Sequence, residues 1–338
     1  QALLLGNNNY LIGLTENHLV EINPTTAETN IITNLNFPNN INTLKNLVYI
    51  PNHCLFYTIG NFGQNPSLIS ISWTGNVNVI GQITLNNDVV YVAEGLTYNT
   101  IEEELYVSIS TQSLFSSTIA KIDTATAICE TVTTVTTLDN DIDSMIFVDN
   151  ELFIFDGTPN SNISSYYLLD FTNISLNSNP TLLASTIHYS CTDFALFNNH
   201  LYIPLPSFEL YQHDLSASQF SLDFIGHING TNLGNVSIRG IEYVENYKPY
   251  NFNIDTTICL NTSIEITPDI PIGSTVQWNT GEQTETIMIE EAGMYWADIL
   301  LENCIPIKTD TITVNFEECD DCANTVSYTH LTLPTSYP

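Results

Sequence analysis

Apolar and polar residues alternate with a period of two through most of the chain, as they do in half-buried β-strands. Val, Ile, Thr, Tyr and Phe dominate these stretches, and Asn-rich clusters such as Asn7–Asn9 and Asn198–Asn199 separate them. Asn tolerates left-handed backbone angles, so the clusters indicate tight turns. Because no window shows the sustained apolar spacing of an amphipathic helix, the pattern predicts an all-β protein.

A short apolar strand that ends in an Asx or Ser turn recurs through the first 250 residues. The clearest copy is Leu19–Ala27. Its Ile22 is matched by later positions that follow at steps of 44 to 51 residues, namely Ile71, Ile122, Leu169 and His213. Repeats of about 40 to 50 residues built only from short strands are typical of β-propellers. We therefore predict a β-propeller over residues 1–248.

The repeats are incomplete at both ends in a complementary way. Most copies begin with two strands, such as Leu47–Tyr49 and Leu55–Tyr57, but the last copy, Gly240–Tyr243, has only the first of them. The start of the chain supplies the strands that this copy lacks. We expect the last strand to complete the first blade, which removes open sheet edges. We count five blades. Six remain an alternative if Gln1 is a cut end rather than a mature N-terminus, and a linear solenoid is the competing architecture.

Aligning the first strands on their aromatic residue exposes a repeated charge. The aligned positions are Tyr49, Tyr98, Phe147, Phe197 and Tyr243. Four residues before each stands a charged side chain; these are Lys45, Glu94, Asp143, Asp193 and Arg239. The first strand of each blade lines the central channel, so we predict that these five form an axial ring that binds a ligand. A solvated channel mouth, with the two bases neutralising nearby acids, is the alternative structural interpretation.

Asp139, Asp141 and Asp143 place carboxylates at alternate positions, like the start of a calcium loop. The stretch lacks the loop's glycine at the sixth position, and Asn150 stands where its final Glu belongs. An ordinary turn explains it as well. We expect no cofactor, with calcium as the alternative.

The composition changes after Lys248. Strands around Trp278 and a Tyr295 that follows a glycine turn predict a small immunoglobulin-like β-sandwich over residues 249–317. A module of this size benefits from a covalent link. Cys259 and Cys304 lie near its opposite ends, and we predict that they form a disulfide.

Four motifs of this second module carry a family resemblance: D-T-T-I-C-L-N-x-S from Asp255, W-N-T-G-E-x-T from Trp278, G-M-Y-W from Gly293 and N-C-x-x-x-x-T-D-T-I-T-V from Asn303. Together they resemble the Ig-like module of Bacteroidetes surface proteins that commonly precedes a gliding-motility-associated C-terminal domain, the sorting signal for type IX secretion. The resemblance covers residues 253 to 316. It implies export and a spacer role, and it carries over no catalytic residue.

Residues 318–338 do not continue into such a sorting domain. Val326–Thr335 resembles a translated sequencing adapter, so we interpret the segment as a truncated linker followed by an artefactual tail.

The charge of the chain is strongly one-sided. Its 37 acidic residues face only 5 basic ones, which gives a net charge of -32. Such a chain repels phosphate backbones and anionic lipid, so we expect no nucleic-acid binding. No apolar run is long enough to span a bilayer, so we expect no membrane insertion.

The seven cysteines indicate an oxidising compartment, and the odd count leaves at least one unpaired. Apart from the proposed disulfide, the pairing stays open for Cys54, Cys129, Cys191, Cys319 and Cys322. We expect a monomer that is extracellular or displayed on the outer-membrane surface.

The sequence contains no nucleophile elbow, phosphate-binding glycine loop or metalloprotease motif. Glu102–Glu104 is interpreted as a solvated turn, and the equivalent placement of His53 and His200 as a turn preference. We favour a non-enzymatic binding or adhesion protein that recognises a glycan or another cell-surface component. The alternatives are a propeller hydrolase or lyase that acts on glycan through the axial carboxylates, and a purely structural repeat module.

Overall fold

The computed structural model describes residues 11–38, 41–62, 65–86, 88–110, 117–135, 142–157, 164–186, 193–230, 233–244, 256–268, 275–300, 307–309 and 311–318. Within these ranges every regular element is a β-strand except the 3₁₀ turn Pro51–His53, so the all-β prediction is confirmed. None of the described segments is a helix long and apolar enough to cross a membrane. The chain divides into two compact units, Gln1–Val244 and Glu245–Pro338.

The first unit contains 25 described strands. They are β1 (Leu11–Leu14), β2 (His18–Ile22), β3 (Glu28–Asn34), β4 (Ile41–Ile50), β5 (Leu55–Phe62), β6 (Asn65–Ser72), β7 (Val77–Gln82), β8 (Thr84–Leu85), β9 (Asp88–Val89), β10 (Ala93–Asn99), β11 (Glu104–Ser110), β12 (Ser117–Ile122), β13 (Ile128–Val135), β14 (Ser144–Val148), β15 (Glu151–Gly157), β16 (Ser164–Asp170), β17 (Asn177–Ser178), β18 (Thr181–Thr186), β19 (Ala195–Phe197), β20 (His200–Leu205), β21 (Glu209–Asp214), β22 (Asp223–His227), β23 (Asn229–Gly230), β24 (Gly234–Asn235) and β25 (Gly240–Tyr243).

These strands form five sheets, each built around four antiparallel strands. In chain order the sheets are β25-β1-β2-β3, β4-β5-β6-β7, β10-β11-β12-β13, β14-β15-β16-β18 and β19-β20-β21-β22. The last strand of the unit joins the first sheet, where Tyr243 pairs with Leu11 and Gly240 with Leu14. The predicted completion of the first sheet by the final strand is therefore present.

The strand named first in each sheet, here called its first strand, contacts the first strands of two other sheets. β25 lies beside β4, β4 beside β10, β10 beside β14, β14 beside β19, and β19 beside β25. The order returns to its starting point, which a linear stack of repeats would not do. Apolar side chains fill the space between neighbouring sheets; between the second and third, Val48 and Leu68 share a cluster with Val107 and Ala120.

The recurrent turn of the sequence has a local physical cause. In four sheets an Asn or Asp side chain accepts a hydrogen bond from the backbone N–H two residues on, which closes an Asx turn. The acceptors are Asn23, Asp123, Asp170 and Asp214, at 2.8, 3.1, 2.9 and 2.8 Å. In the second sheet Ser72 Oγ accepts the N–H of Asn76 at 3.1 Å instead.

Two of the sheets are widened by short hairpins that the sequence pattern does not predict. The β8–β9 hairpin adds to the third sheet through β8, which pairs in parallel with β13 so that Thr84 lies opposite Ile128. The β23–β24 hairpin adds in the same way to the first sheet through β23, which pairs in parallel with β3 so that Asn229 lies opposite Glu28. Each hairpin covers backbone groups on an outer strand that would otherwise be an open edge.

The second unit contains eight described strands in three small sheets. The strands are β26 (Thr256–Cys259), β27 (Ile264–Ile266), β28 (Thr275–Trp278), β29 (Ile287–Ile289), β30 (Gly293–Tyr295), β31 (Ala297–Leu300), β32 (Ile307–Lys308) and β33 (Ile312–Glu317). They are ordered β26-β33-β30, β27-β29 and β28-β31-β32.

The described residues of the second unit share an apolar core. Trp278, which is 1% exposed, packs there with Ile289 and Val314. The Trp278 indole N–H donates to the backbone oxygen of Thr284 at 2.9 Å, so its polar atom is satisfied inside the core.

The cysteines are only partly described. Cys54 and Cys259 are in disulfides, whereas Cys129 is a buried free thiol. Cys304 lies outside the described residues, so its pairing with Cys259 stays a prediction. Cys191, Cys319 and Cys322 lie outside them as well.

Candidate functional site

The predicted axial residues occupy equivalent places, four residues before the aligned aromatic of each first strand. Lys45 and Glu94 lie within β4 and β10, whereas Asp143, Asp193 and Arg239 precede β14, β19 and β25. A first strand has a sheet neighbour on one side only, so N–H groups on its other side need acceptors from elsewhere. The region where the first strands approach one another therefore calls for polar side chains.

Asp193 supplies acceptors for several of these groups. Its carboxylate, which is buried with the residue 1% exposed, accepts the N–H groups of Leu47 at 2.7 Å and Ile241 at 3.0 Å. It also accepts from Asn46 Nδ2 at 3.0 Å and from Ser144 Oγ at 3.2 Å. Because these donors belong to β4, β25 and β14, one side chain ties the first strands of three other sheets together.

Glu242 is a second acid in this region, and the alignment of charged positions missed it. Its carboxylate accepts the N–H groups of Tyr49 at 3.3 Å and Tyr243 at 2.9 Å. Thr97 plays the same role in the third sheet, where its hydroxyl oxygen accepts the N–H of Phe147 at 3.2 Å. The repeats carry different residue types at this position, so no shared chemistry marked it in the sequence.

Both acids hold their protons more tightly than usual. Burial raises the pKa of Asp193 to about 7, although hydrogen bonds from Ile241 and Leu47 oppose the rise. Burial, together with repulsion from Asp193, raises the pKa of Glu242 well above its usual value. Desolvation disfavours the charged form of any acid, and two nearby acids disfavour it further.

Two of the other predicted ring residues pair with each other, and the remaining two have partners outside the ring. Lys45 forms an ion pair with Glu94. Arg239 reaches Glu16, in the turn between β1 and β2, at 2.7 Å. Asp143 accepts the N–H of Gly157 at 2.7 Å within its own sheet. In the described contacts Asp193 bonds to three other sheets, and the Lys45–Glu94 pair joins the second sheet to the third. The contacts given for Asp143 and Arg239 lie within their own sheets.

The predicted calcium site is only partly covered by the described residues. Asp139 and Asp141 lie outside the described residues, and Asp143 has the backbone contact given above. Among the residues that the structure does describe, no three His, Cys, Asp or Glu side chains are grouped as a metal site requires.

The raised pKa values predict how stability depends on pH. In the unfolded chain Asp193 ionises near its ordinary pKa of about 3.9, whereas the folded state holds the proton up to about 7. The native state therefore binds more protons between these values, and stability is lost as the pH rises through about 7. We expect the denaturant midpoint to fall between about pH 6.5 and about pH 8.5.

The control for this experiment is Asp193→Asn, which removes one of the two acids with a raised pKa and should reduce the pH dependence. The interval starts at about pH 6.5 because burial lowers the pKa of His213, which destabilises the fold at lower pH and opposes the effect of the acids. A wild-type midpoint that stays constant or rises across the interval would contradict the prediction.

No protein-family model matches the chain, and no curated protein sequence matches it. Among solved structures it is similar to a chain of the nidogen–laminin complex, with a TM-score of 0.46 and 11% identity over 70% of this chain and 98% of that one. It is similar to TolB from Acinetobacter baumannii, with a TM-score of 0.42 and 11% identity over 69% and 53% of the two chains. It is also similar to the β-propeller domain of Cps50 (Swd1) from Myceliophteria thermophila, with a TM-score of 0.37 and 12% identity over 70% and 73%.

Proposed function

We propose that this chain is a non-enzymatic extracellular protein whose first unit binds a glycan or another cell-surface component and whose second unit is a spacer. The observation that carries the proposal is that two acids, Asp193 and Glu242, are engaged in hydrogen bonds within the protein. Asp193 accepts four hydrogen bonds from three other sheets, and Glu242 accepts two from the backbone. Acids engaged in this way stabilise the fold. An acid/base catalyst instead needs a side chain that is within hydrogen-bonding reach of its substrate.

We propose a five-bladed propeller for the first unit. The support is the cyclic order of its five first strands and the pairing of β25 with β1. A closed ring presents its inter-strand turns on two faces, and such turns carry binding residues in many scaffolds.

An Ig-like sandwich is the proposal for the second unit. Its support is the buried Trp278 together with Tyr295, whose hydroxyl donates to the backbone oxygen of Glu291 at 2.8 Å. A tyrosine that bonds to backbone a few residues upstream is a recurring feature of Ig-like domains.

The proposed location outside the cytoplasm has independent support. Cys54 and Cys259 are in disulfides, which persist in oxidising compartments. The net charge of -32 suits a soluble protein in an extracellular medium. The resemblance of the second unit to modules of type IX secretion substrates points to the same place, and export by that route is included in the proposal.

The test measures binding and cleavage together. The full chain is incubated with a panel of extracellular polysaccharides, and both its retention on each polymer and the release of new reducing ends or unsaturated products are followed. We expect retention on at least one polymer without any product. Cleavage that Asp193→Asn abolishes would instead support the propeller hydrolase or lyase. Absence of retention on every polymer would favour the purely structural module.

A further inference from the structure

A cleft of about 200 Å³ opens between the second and third sheets, away from the axial acids. Its apolar lining includes Ile50 and Ile122, each 2% exposed, together with Leu105. Polar side chains from the Pro51–His53 turn, the β10–β11 turn and the Asx turn after β12 complete the lining. The cleft is thus amphipathic and is smaller than pockets of about 300 Å³ or more that hold drug-sized ligands.

A chain of hydrogen bonds joins the two sheets beside the cleft. The Thr124 side chain hydrogen-bonds the hydroxyl of Tyr57, which is 3% exposed, and that hydroxyl lies 2.8 Å from Nδ1 of His53. With Thr124 as the donor to Tyr57, the tyrosine proton goes to Nδ1. His53 then carries its own proton on Nε2, because the bond at one ring nitrogen selects the tautomer. The cleft is in this way provided with a ring N–H donor.

The cleft also holds carboxylates that have no cation. Within the described residues neither Glu103 nor Asp123 has a basic partner, whereas Glu104 shares Lys121 with Glu102. The hydrogen bonds of the Asx turn all go to Oδ1 of Asp123, and no described bond uses Oδ2.

An aromatic ring lies among these charges. Tyr98 lines the cleft, and the charges of Glu103 and Glu104 add to burial in raising the pKa of its phenol. An aromatic ring beside a carboxylate without a described basic partner, here Glu103, attracts an organic cation through charge pairing and through the ring itself.

We propose that this cleft binds a primary ammonium group carried on a single sugar unit. The inference rests on the proposed glycan-binding function and specifies its ligand class. The ammonium group pairs with Glu103 and Asp123, the sugar ring packs against Tyr98, and the sugar hydroxyls accept from His53 and exchange hydrogen bonds with Asn52. A neutral sugar lacks the charge that these carboxylates select.

The first test compares three probes by titration calorimetry with the full chain at about pH 6: D-glucosamine, N-acetyl-D-glucosamine and D-glucose. Acetylation removes the charge and keeps the ring. We expect the affinity for glucosamine to exceed that for either neutral sugar by about tenfold or more, because a charge-assisted hydrogen bond is stronger than one between neutral groups. Raising the salt concentration should narrow the difference.

The second test uses matched pairs of substitutions. Glu103→Gln with Asp123→Asn removes the two charges of the cleft, and Asp170→Asn with Asp214→Asn removes two charges from equivalent turns elsewhere. The Asx turn tolerates this change, since Asn23 accepts the same backbone N–H bonds in the first sheet. We expect the cleft pair to weaken glucosamine binding by about tenfold or more and the distant pair to leave it within about twofold.

The outcomes separate this inference from the function on which it rests. Equal affinity for glucosamine and its N-acetyl form, no glucosamine binding, or equal losses in the two pairs of variants would overturn the cleft assignment. If a polysaccharide is still retained in any of these cases, glycan binding stands and its site lies elsewhere. If no polysaccharide and no probe binds, both proposals fail.

Discussion

Replacement of Asp193 by alanine is expected to destabilise the first unit by about 3 to 5 kcal/mol. The change removes the acceptor for the buried N–H groups of Leu47 and Ile241 and for the side chains of Asn46 and Ser144. A buried donor left without an acceptor costs about 1 to 3 kcal/mol. Removal of a buried acid, whose charged form is disfavoured by desolvation, offsets some of this loss, which is why the expected total is below the sum for four donors.

The measurement is the free energy of unfolding from denaturant titration, with Asp143→Ala as the control. Asp143 occupies the equivalent place before β14, is half-buried, and accepts the Gly157 N–H within its own sheet. Its replacement should cost about 1 kcal/mol. If the two variants lose the same free energy of unfolding, then the hydrogen bonds of Asp193 between first strands contribute no more than an ordinary hydrogen bond within one sheet.

The repeat makes much of this region predictable from the sequence. Charged residues recur at one position because the beginnings of the first strands share one environment, and Lys45, Glu94 and Asp193 do lie where those strands approach one another. The repeat does not predict which of these charged side chains is buried. Asp193 and Asp143 look alike in the alignment, yet one is enclosed by strands from three other sheets and the other bonds within its own.

Local features were easier to predict than contacts between distant segments. An Asx turn is closed within three residues, so the Asp123 and Asp170 turns follow from the sequence alone. The pair between Arg239 and Glu16 joins residues that are 223 positions apart in the sequence, and no pattern in either segment indicates it. The β8–β9 and β23–β24 hairpins also escaped prediction, because strands of two residues have no periodicity.

The cleft is formed by turns that the sequence describes correctly one at a time but does not place together. The Glu102–Glu104 turn is solvated, as its sequence suggests, and His53 does lie at a turn. The β10–β11 hairpin places Glu103 and Glu104 near Tyr98, and only the packing of the second sheet against the third adds His53 to the same cleft. Sequence patterns describe each turn by itself, whereas the proposed binding site depends on two turns that are adjacent in space.

Replacement of Gly240 by alanine is expected to destabilise the first unit by about 3 kcal/mol, the second-largest effect we predict. A Cβ atom there would lie 2.3 Å from the backbone carbon of Asn46 and 2.5 Å from the backbone nitrogen of Leu47. Backbone atoms of β4 cannot rotate away as a side chain can. The strands β25 and β4 would have to separate, which would also lengthen the hydrogen bonds that both make to Asp193.

Gly95→Ala is the matched control, since Gly95 holds the same register in β10. Its added methyl would meet only side-chain atoms, the nearest being Ser108 Oγ at 3.0 Å and Met145 Cγ at 3.1 Å, and these can adjust. We expect a loss of about 1 kcal/mol there in the same denaturant titration. If Gly240→Ala costs no more than Gly95→Ala, then β25 and β4 are not held at a fixed separation. The role of Asp193 in joining these first strands would then need another physical account.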